Sequence, residues 1–150
     1  MRFEAKRFLI VDDQEYSVKI AIRKLKAEGA EVVFVPSLYD AYTTFETMKQ
    51  AGEQSRPFDL VLIDILCPPL PAQLRPYFDD ARLPDNNSGI ALAHYLEKHF
   101  KDRQPYALFT ILPHSGIYEP PKSHNYKGII EKIGAQAIAD RVQEIIGQAS

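Results

Sequence analysis

The chain has 150 residues, 45% of them apolar and 25% charged, with a formal net charge of −2 at pH 7. This is enough for one domain with a full core, too little for two ordinary ones, and too apolar for a disordered chain. The charge gives no reason to expect nucleic acid or a membrane surface as a partner, no apolar run reaches spanning length, the N-terminus lacks a signal-peptide core, and the single cysteine, Cys67, excludes an internal disulfide. A reducing, cytosolic location is the expectation.

In chain order, Phe8-Leu9-Ile10-Val11 reads as a buried strand that ends at Asp12-Asp13. Val18, Ala21, Ile22 and Leu25 repeat at helical spacing over residues 15–28, and Gly29 is a natural stop. Residues 31–35 are rich in β-branched side chains and predict a second strand. Ser37 with Asp40 resembles a capping box for a helix that buries Ala41, Phe45 and Met48. A polar loop over 52–57 leads to Leu60-Val61-Leu62-Ile63, a continuous apolar run ending on Asp64. Such a run predicts a strand buried on both faces.

Residues 65–87 hold five of the eleven prolines, at 68, 69, 71, 76 and 84. That density predicts a long ordered loop with at most a short turn near 73–77. Its large apolar residues, Leu70, Leu74, Tyr77, Phe78 and Leu83, predict an ordered flap over or beside the end of the Asp64 strand, with part of its surface free for a partner. Ser88 is placed to cap a third helix with Leu92, Tyr95 and Leu96 inward. Residues 106–112 read as a fourth strand carrying Thr110. Gly116, Pro120 and Pro121 argue against a full helix over 113–126. Gly128-Ile129-Ile130 is a short fifth strand followed by Lys132, and a last helix over 135–146 buries Ile138, Val142, Ile145 and Ile146. Strands alternating with helices predict parallel βαβ units, hence an α/β fold with a doubly wound five-stranded sheet in the order 2-1-3-4-5.

Taken singly, the polar residues at the strand ends have ordinary explanations as helix caps, core threonine or solvated lysine. Together they do not. Asp12 and Asp13, Asp64, Thr110 and Lys132 follow strands one, three, four and five, whose carboxyl ends converge in that strand order. Three carboxylates in one cleft repel and call for a hard cation with oxygen ligands, for which Mg²⁺ is the expected choice. One carboxylate can then attack phosphorus, while a lysine and a hydroxyl hold the other phosphoryl oxygens. The four histidines, His94, His99, His114 and His124, lack the spacing of a zinc site.

On the segments Phe8-Leu9-Ile10-Val11-Asp12-Asp13, Leu60-Val61-Leu62-Ile63-Asp64, Tyr106-Ala107-Leu108-Phe109-Thr110 and Lys132, the chain resembles the receiver domains of two-component response regulators. The resemblance spans nearly the whole chain, and the interval from Thr110 to Lys132 is close to the family's usual one. It implies a single flavodoxin-like receiver domain over residues 1–150, interrupted by the proline-rich insertion. It implies Asp64 as the phosphorylated aspartate. Asp12, Asp13, Asp64 and the backbone carbonyl of Leu66 would be Mg²⁺ ligands, Thr110 the switch hydroxyl and Lys132 the phosphate-binding lysine. The donor would be a histidine kinase or phosphotransfer protein, and the output an unidentified protein partner. The chain departs from the family pattern at four places. Ile111 follows the switch hydroxyl where a small residue is usual, Ile129 replaces the aromatic of strand five, Ile133 replaces the proline after the lysine, and the glycine expected soon after the acceptor is delayed to Gly89. These bear on output more than on the phosphorylation site. The alternative they support is a degenerate receiver, a binding module without a phosphorylation cycle. Enzymes on the same architecture fit less well. A flavodoxin-like flavin protein wants a Ser/Thr/Gly-rich loop where Asp12 and Asp13 stand, and a haloacid-dehalogenase phosphatase wants a D-x-D pattern that Asp12-Asp13-Gln14 does not supply.

Overall fold

The computed structural model describes residues 1–52, 58–111 and 116–147. Five strands, β1 (Arg7–Val11), β2 (Glu31–Val35), β3 (Leu60–Asp64), β4 (Tyr106–Thr110) and β5 (Tyr126–Glu131), form one sheet in the order β2-β1-β3-β4-β5. Every pairing is parallel. The expected topology is therefore the observed one.

Alternation along the strands divides the core into two halves. Leu9, Val11, Val61, Ile63 and Leu108 face one layer, where they meet α2 (Leu38–Gln50) through Ala41 and Phe45, and α4 (Ser88–His99) through Ile90, Leu92 and Leu96. Phe8, Ile10, Leu60, Leu62 and Phe109 face the other, against Val18 and Leu25 of α1 (Glu15–Ala27) and Ile138 and Val142 of α5 (Ala135–Gly147). Because β1, β3 and β4 are covered on both sides, the runs Phe8–Val11, Leu60–Ile63 and Tyr106–Phe109 within them are apolar without a break. Ser37 caps α2, its Oγ accepting from the Asp40 amide at 3.0 Å. Gly29, at φ +101°, makes the turn out of α1. β5 starts two residues earlier than its apolar core suggests, and its register with β4 shifts between Tyr106 and Leu108.

The insertion differs from the expectation of a loop with one turn. It contains a 3-10 turn (Ala72–Leu74), a short helix α3 (Arg75–Asp80) and a second 3-10 turn (Asp85–Asn87). Proline does not prevent α3 because Pro76 stands in its first turn, where no intrahelical amide is needed. The root of the insertion, with Leu66 and Pro68, stays beside Asp64, and the rest packs along α2 and α4. Leu74 and Leu83 are buried in the α2–α4 half of the core, and Tyr77 sets its ring edge-on to Tyr95 at 5.8 Å with its hydroxyl 2.7 Å from His99 Nε2. Asn87, not Ser88, occupies the cap position of α4, and Ser88 serves a different partner described below.

Between β4 and β5 no described residue is α-helical. Gly116 has 3-10 geometry, and residues 117–125 run as a strap across α4. The Tyr118 amide donates to Asn87 Oδ1 at 3.0 Å, Ile117 packs on the core and Pro120 is buried. Covered by α3 and this strap, α4 has a single exposed residue, Lys98. No described helix is long and apolar enough to cross a membrane.

Candidate functional site

β1 delivers Asp12 and Asp13 to the carboxyl edge of the sheet, and β3 delivers Asp64 beside them. Val11 pairs with Ile63 in register, which leaves Asp12 and Asp64 as the next residues on adjacent strands. Asp12 is fully buried, and its Oδ1 accepts from the Gln14 amide at 2.8 Å. That bond turns the chain into α1, whose own cap residue, Gln14, makes no side-chain cap. Asp64 is 6% exposed, and Asp13 is half-buried.

Thr110 ends β4, buried, with its carbonyl accepting from the Lys132 amide at 3.0 Å. The strand register thus places Lys132 immediately past β5. Its ammonium lies 2.5 Å from Asp12 Oδ2 and 3.3 Å from Asp64 Oδ1, and 5.0 Å from the centre of the Phe109 ring. Lys132 is 120 residues from Asp12 in sequence, and the topology alone brings them together. Burial pushes the Asp64 carboxyl up to about 7, Lys132 opposes that shift, and Asp12 and Asp13 add to it.

Asp12, Asp64 and Lys132 are therefore in direct contact, Asp13 and Leu66 line the same edge, and Thr110 ends the neighbouring strand; two residues that the sequence does not point to join them. Asp13, Asp64 and Cys67 bring two carboxylate oxygens and a sulfur within 4.8 Å of one another, the one group of three or more candidate metal donors among the described residues. Burial, followed by the three aspartates, pushes the Cys67 thiol up to about 12. The Cys67 amide donates to Ser88 Oγ at 3.0 Å. One residue on, the Gly89 amide donates to the Ile65 carbonyl at 2.7 Å. A Cβ on Gly89 would stand 1.9 Å from the Asp64 carbonyl oxygen, so the start of α4 can close on β3 only through glycine. The available signals were the position of Cys67 three residues past Asp64 and the delayed glycine, but neither reveals its contact from sequence alone.

A cleft of about 220 Å³ opens over these groups, lined by Asp13, Gln14, Asp64, Leu66, Pro68 and Ile111. Ile111 and Ile133 are 79% and 72% exposed at this edge, and Ile129 is half-buried against the α2–α4 half of the core. Of the histidines, His94 and His124 line a separate cavity of about 620 Å³ beside the strap, His99 is bonded to Tyr77, and His114 lies outside the described residues.

No family model matches this sequence, and no curated protein matches it. Solved structures do. A response regulator from Thermotoga maritima aligns with a TM-score of 0.61 at 15% identity, over 95% of this chain and 98% of that one. The receiver domain of a histidine kinase from Arabidopsis thaliana, in a mutant form, aligns at 0.59 and 21% identity, over 97% and 93%. A CheY-like receiver domain protein from Methanospirillum hungatei aligns at 0.55 and 17%, over 96% and 95%. With the sheet order and the alternation of helices, these alignments identify the architecture: the chain has the fold of the response-regulator receiver domains.

Proposed function

We propose that this chain is a two-component signalling receiver that accepts a phosphoryl group on Asp64. The observation that carries the reading is the Lys132 ammonium, held between Asp12 and Asp64 at the carboxyl edge of the sheet with Thr110 on the neighbouring strand. The donor set also fits a hard divalent cation. Asp12, Asp13 and Asp64 face one lysine, and the surplus of buried negative charge favours an ion with oxygen ligands. Asp12, Asp13, Asp64 and the Leu66 carbonyl are the residues to hold Mg²⁺, which when bound draws charge off the phosphoryl oxygens.

The chain's own groups supply the rest. An Asp64 oxygen attacks phosphorus of a phosphohistidine on a histidine kinase or phosphotransfer protein. The bond from phosphorus to the imidazole nitrogen breaks, and an acyl phosphate remains on Asp64. Lys132 exchanges its carboxylate contact for a phosphoryl oxygen, and the Thr110 hydroxyl holds another. The role is that of a signalling domain rather than of a conventional enzyme, with a cytoplasmic protein partner as its output. Intact-mass measurement after incubation with acetyl phosphate and Mg²⁺ is expected to find a gain of one phosphate, absent from Asp64→Asn. A mutant that gains phosphate at the wild-type rate overturns the assignment.

A second reading, the degenerate receiver, is favoured by the two large isoleucines, Ile111 and Ile133, that stand exposed where small residue and proline are usual. It predicts neither a mass gain nor BeF₃⁻ binding in the presence of Mg²⁺.

A further inference from the structure

Two peptide units meet at Leu66, and each is held by one of the first two residues of α4. The Ile65 carbonyl accepts from the Gly89 amide at 2.7 Å. The Cys67 amide donates to Ser88 Oγ at 3.0 Å, and the bond is shut away from solvent, with Ser88 5% exposed and Cys67 fully buried. A peptide unit is planar, so its carbonyl and its amide hydrogen cannot turn independently, and in a trans unit they point in opposite directions. The Leu66 carbonyl and the Cys67 amide belong to one trans unit. By holding the amide, Ser88 therefore sets the direction of the Leu66 carbonyl, which faces away from the hydroxyl.

That carbonyl is available to a further partner. Among the described residues no group donates to it, and Leu66, 43% exposed, lines the cleft with Asp13 and Asp64. The carboxylates bring charge to an ion, whereas a backbone carbonyl brings a fixed direction, and Mg²⁺ demands near-octahedral placement of its ligands. Hydrogen bonds behind the ligands orient them and tune affinity. Ser88 stands behind Leu66 in this sense.

We propose that Ser88 is a positioning residue of the cation site: its hydroxyl, acting through the shared peptide unit, aims the Leu66 carbonyl at a divalent cation beside Asp13 and Asp64. The proposal rests on the reading of the cleft as an Mg²⁺ site with Leu66 as a ligand, and names the side chain that orders that ligand. Gly89 supplies the second attachment through its backbone, so Ser88 carries the one side chain of the pair that can be varied. The competing explanation is that the hydroxyl only satisfies a buried amide and matters to stability alone.

The test is the Mg²⁺ affinity of the intact, folded chain by isothermal titration calorimetry, with urea midpoints measured in parallel. Ser88→Ala is expected to weaken Mg²⁺ binding roughly tenfold, and Ser88→Thr, which keeps the oxygen, to stay within about twofold of the wild type. The maximal rate of phosphorylation by acetyl phosphate should return in Ser88→Ala at saturating Mg²⁺, because Asp64 is untouched. Leu74→Ala, which lowers stability through the core, should leave Mg²⁺ affinity unchanged. Wild-type Mg²⁺ affinity in Ser88→Ala, with a lowered urea midpoint, overturns the proposal. A second measurement needs no variant. A cation on the Leu66 carbonyl polarises the shared unit, so Mg²⁺ titration of the wild type should move the Cys67 amide ¹⁵N resonance downfield. A Cys67 resonance that stays still while those of Asp13 and Asp64 move also overturns it. A wild type that binds no Mg²⁺ removes the cation site and the proposal together, whereas Mg²⁺ binding without a gain of phosphate counts against the phosphoacceptor alone.

Discussion

Asp12 and Asp64 share the Lys132 ammonium, and both are shut away from solvent. Removing one partner of a buried ion pair leaves uncompensated charge, at a cost of roughly 3–5 kcal/mol. Lys132→Met is expected to lower the urea midpoint by that amount of stability with its slope unchanged, and saturating Mg²⁺ should recover part of the loss. The raised Asp64 carboxyl gives a pH dependence whose sign follows from linkage. Its folded value of about 7 lies above the ordinary 3.8, so the folded chain binds the extra proton between those values. In chelator, stability should therefore fall as pH rises from about 4 to about 7. Thermal melts across that range, with and without Mg²⁺, check it, and a rise in stability over the same window would contradict the assigned burial. Gly89 admits a third prediction. Gly89→Ala forces a methyl against the Asp64 carbonyl and should cost about 1–3 kcal/mol or more, read as a drop in the urea midpoint.

At the scale of elements, the insertion contributes to the core. Leu74 is fully buried, so Leu74→Ala should cost roughly 2–5 kcal/mol, while the rate of phosphorylation of the remaining folded chain stays unchanged. Hydrogen exchange should find the amides of α3 protected, and rapid exchange there would refute the packing described. The network around α3 also titrates. His99 lies between the Tyr77 hydroxyl and Lys49 Nζ, at 2.7 and 3.4 Å, and Lys49 is paired with Glu46, which also accepts from Tyr95. Burial, then Lys49, hold the His99 imidazole below its ordinary range. The packing of α3 is thus favoured above the ordinary histidine value and weakens as pH falls through the lower folded one. The strap between β4 and β5 bears on output. Receiver domains, whose fold this chain shares, commonly signal through an α-helix in that position together with β5 and α5, and no described residue there is α-helical. Light scattering with and without BeF₃⁻ is expected to find no phosphorylation-dependent dimer of that face.

For the molecule as a whole, legibility in sequence followed burial. β1, β3 and β4 were readable because strands covered on both faces must be apolar throughout, and the strand order followed from their alternation with helices. β5, an edge strand with Tyr126 and Lys127 only half-buried, was read two residues short because its outer positions carry no apolar signal. Proline density predicts a loop for the insertion, whereas Pro76 occupies the first turn of α3, where proline is compatible with a helix. The local context of Ser88 predicts a cap, but its hydroxyl accepts from the Cys67 amide across 21 residues. The strand-end positions of Asp12, Asp13, Asp64, Thr110 and Lys132 were legible because topology sends strand ends to one edge. The sulfur of Cys67 and the closeness of Gly89 to Asp64 were not, since neither follows from spacing.

The burial of α4 changes what another molecule can meet on that flank. In a sheet with one helical layer per face, the helix after β3 would offer a side of its own to the surroundings. Here that helix is an inner beam, enclosed on the outside as well as the inside, and Lys98 is its one outlet. The skin of the flank belongs instead to Arg75 and Asp79 of α3 and to Glu119 and Lys122 of the strap, all exposed. An antibody, a protease or a cross-linker approaching from that side samples segments that have no counterpart in the bare five-strand frame, so surface-based comparison of this chain with its structural neighbours would part company with them where the backbone comparison agrees.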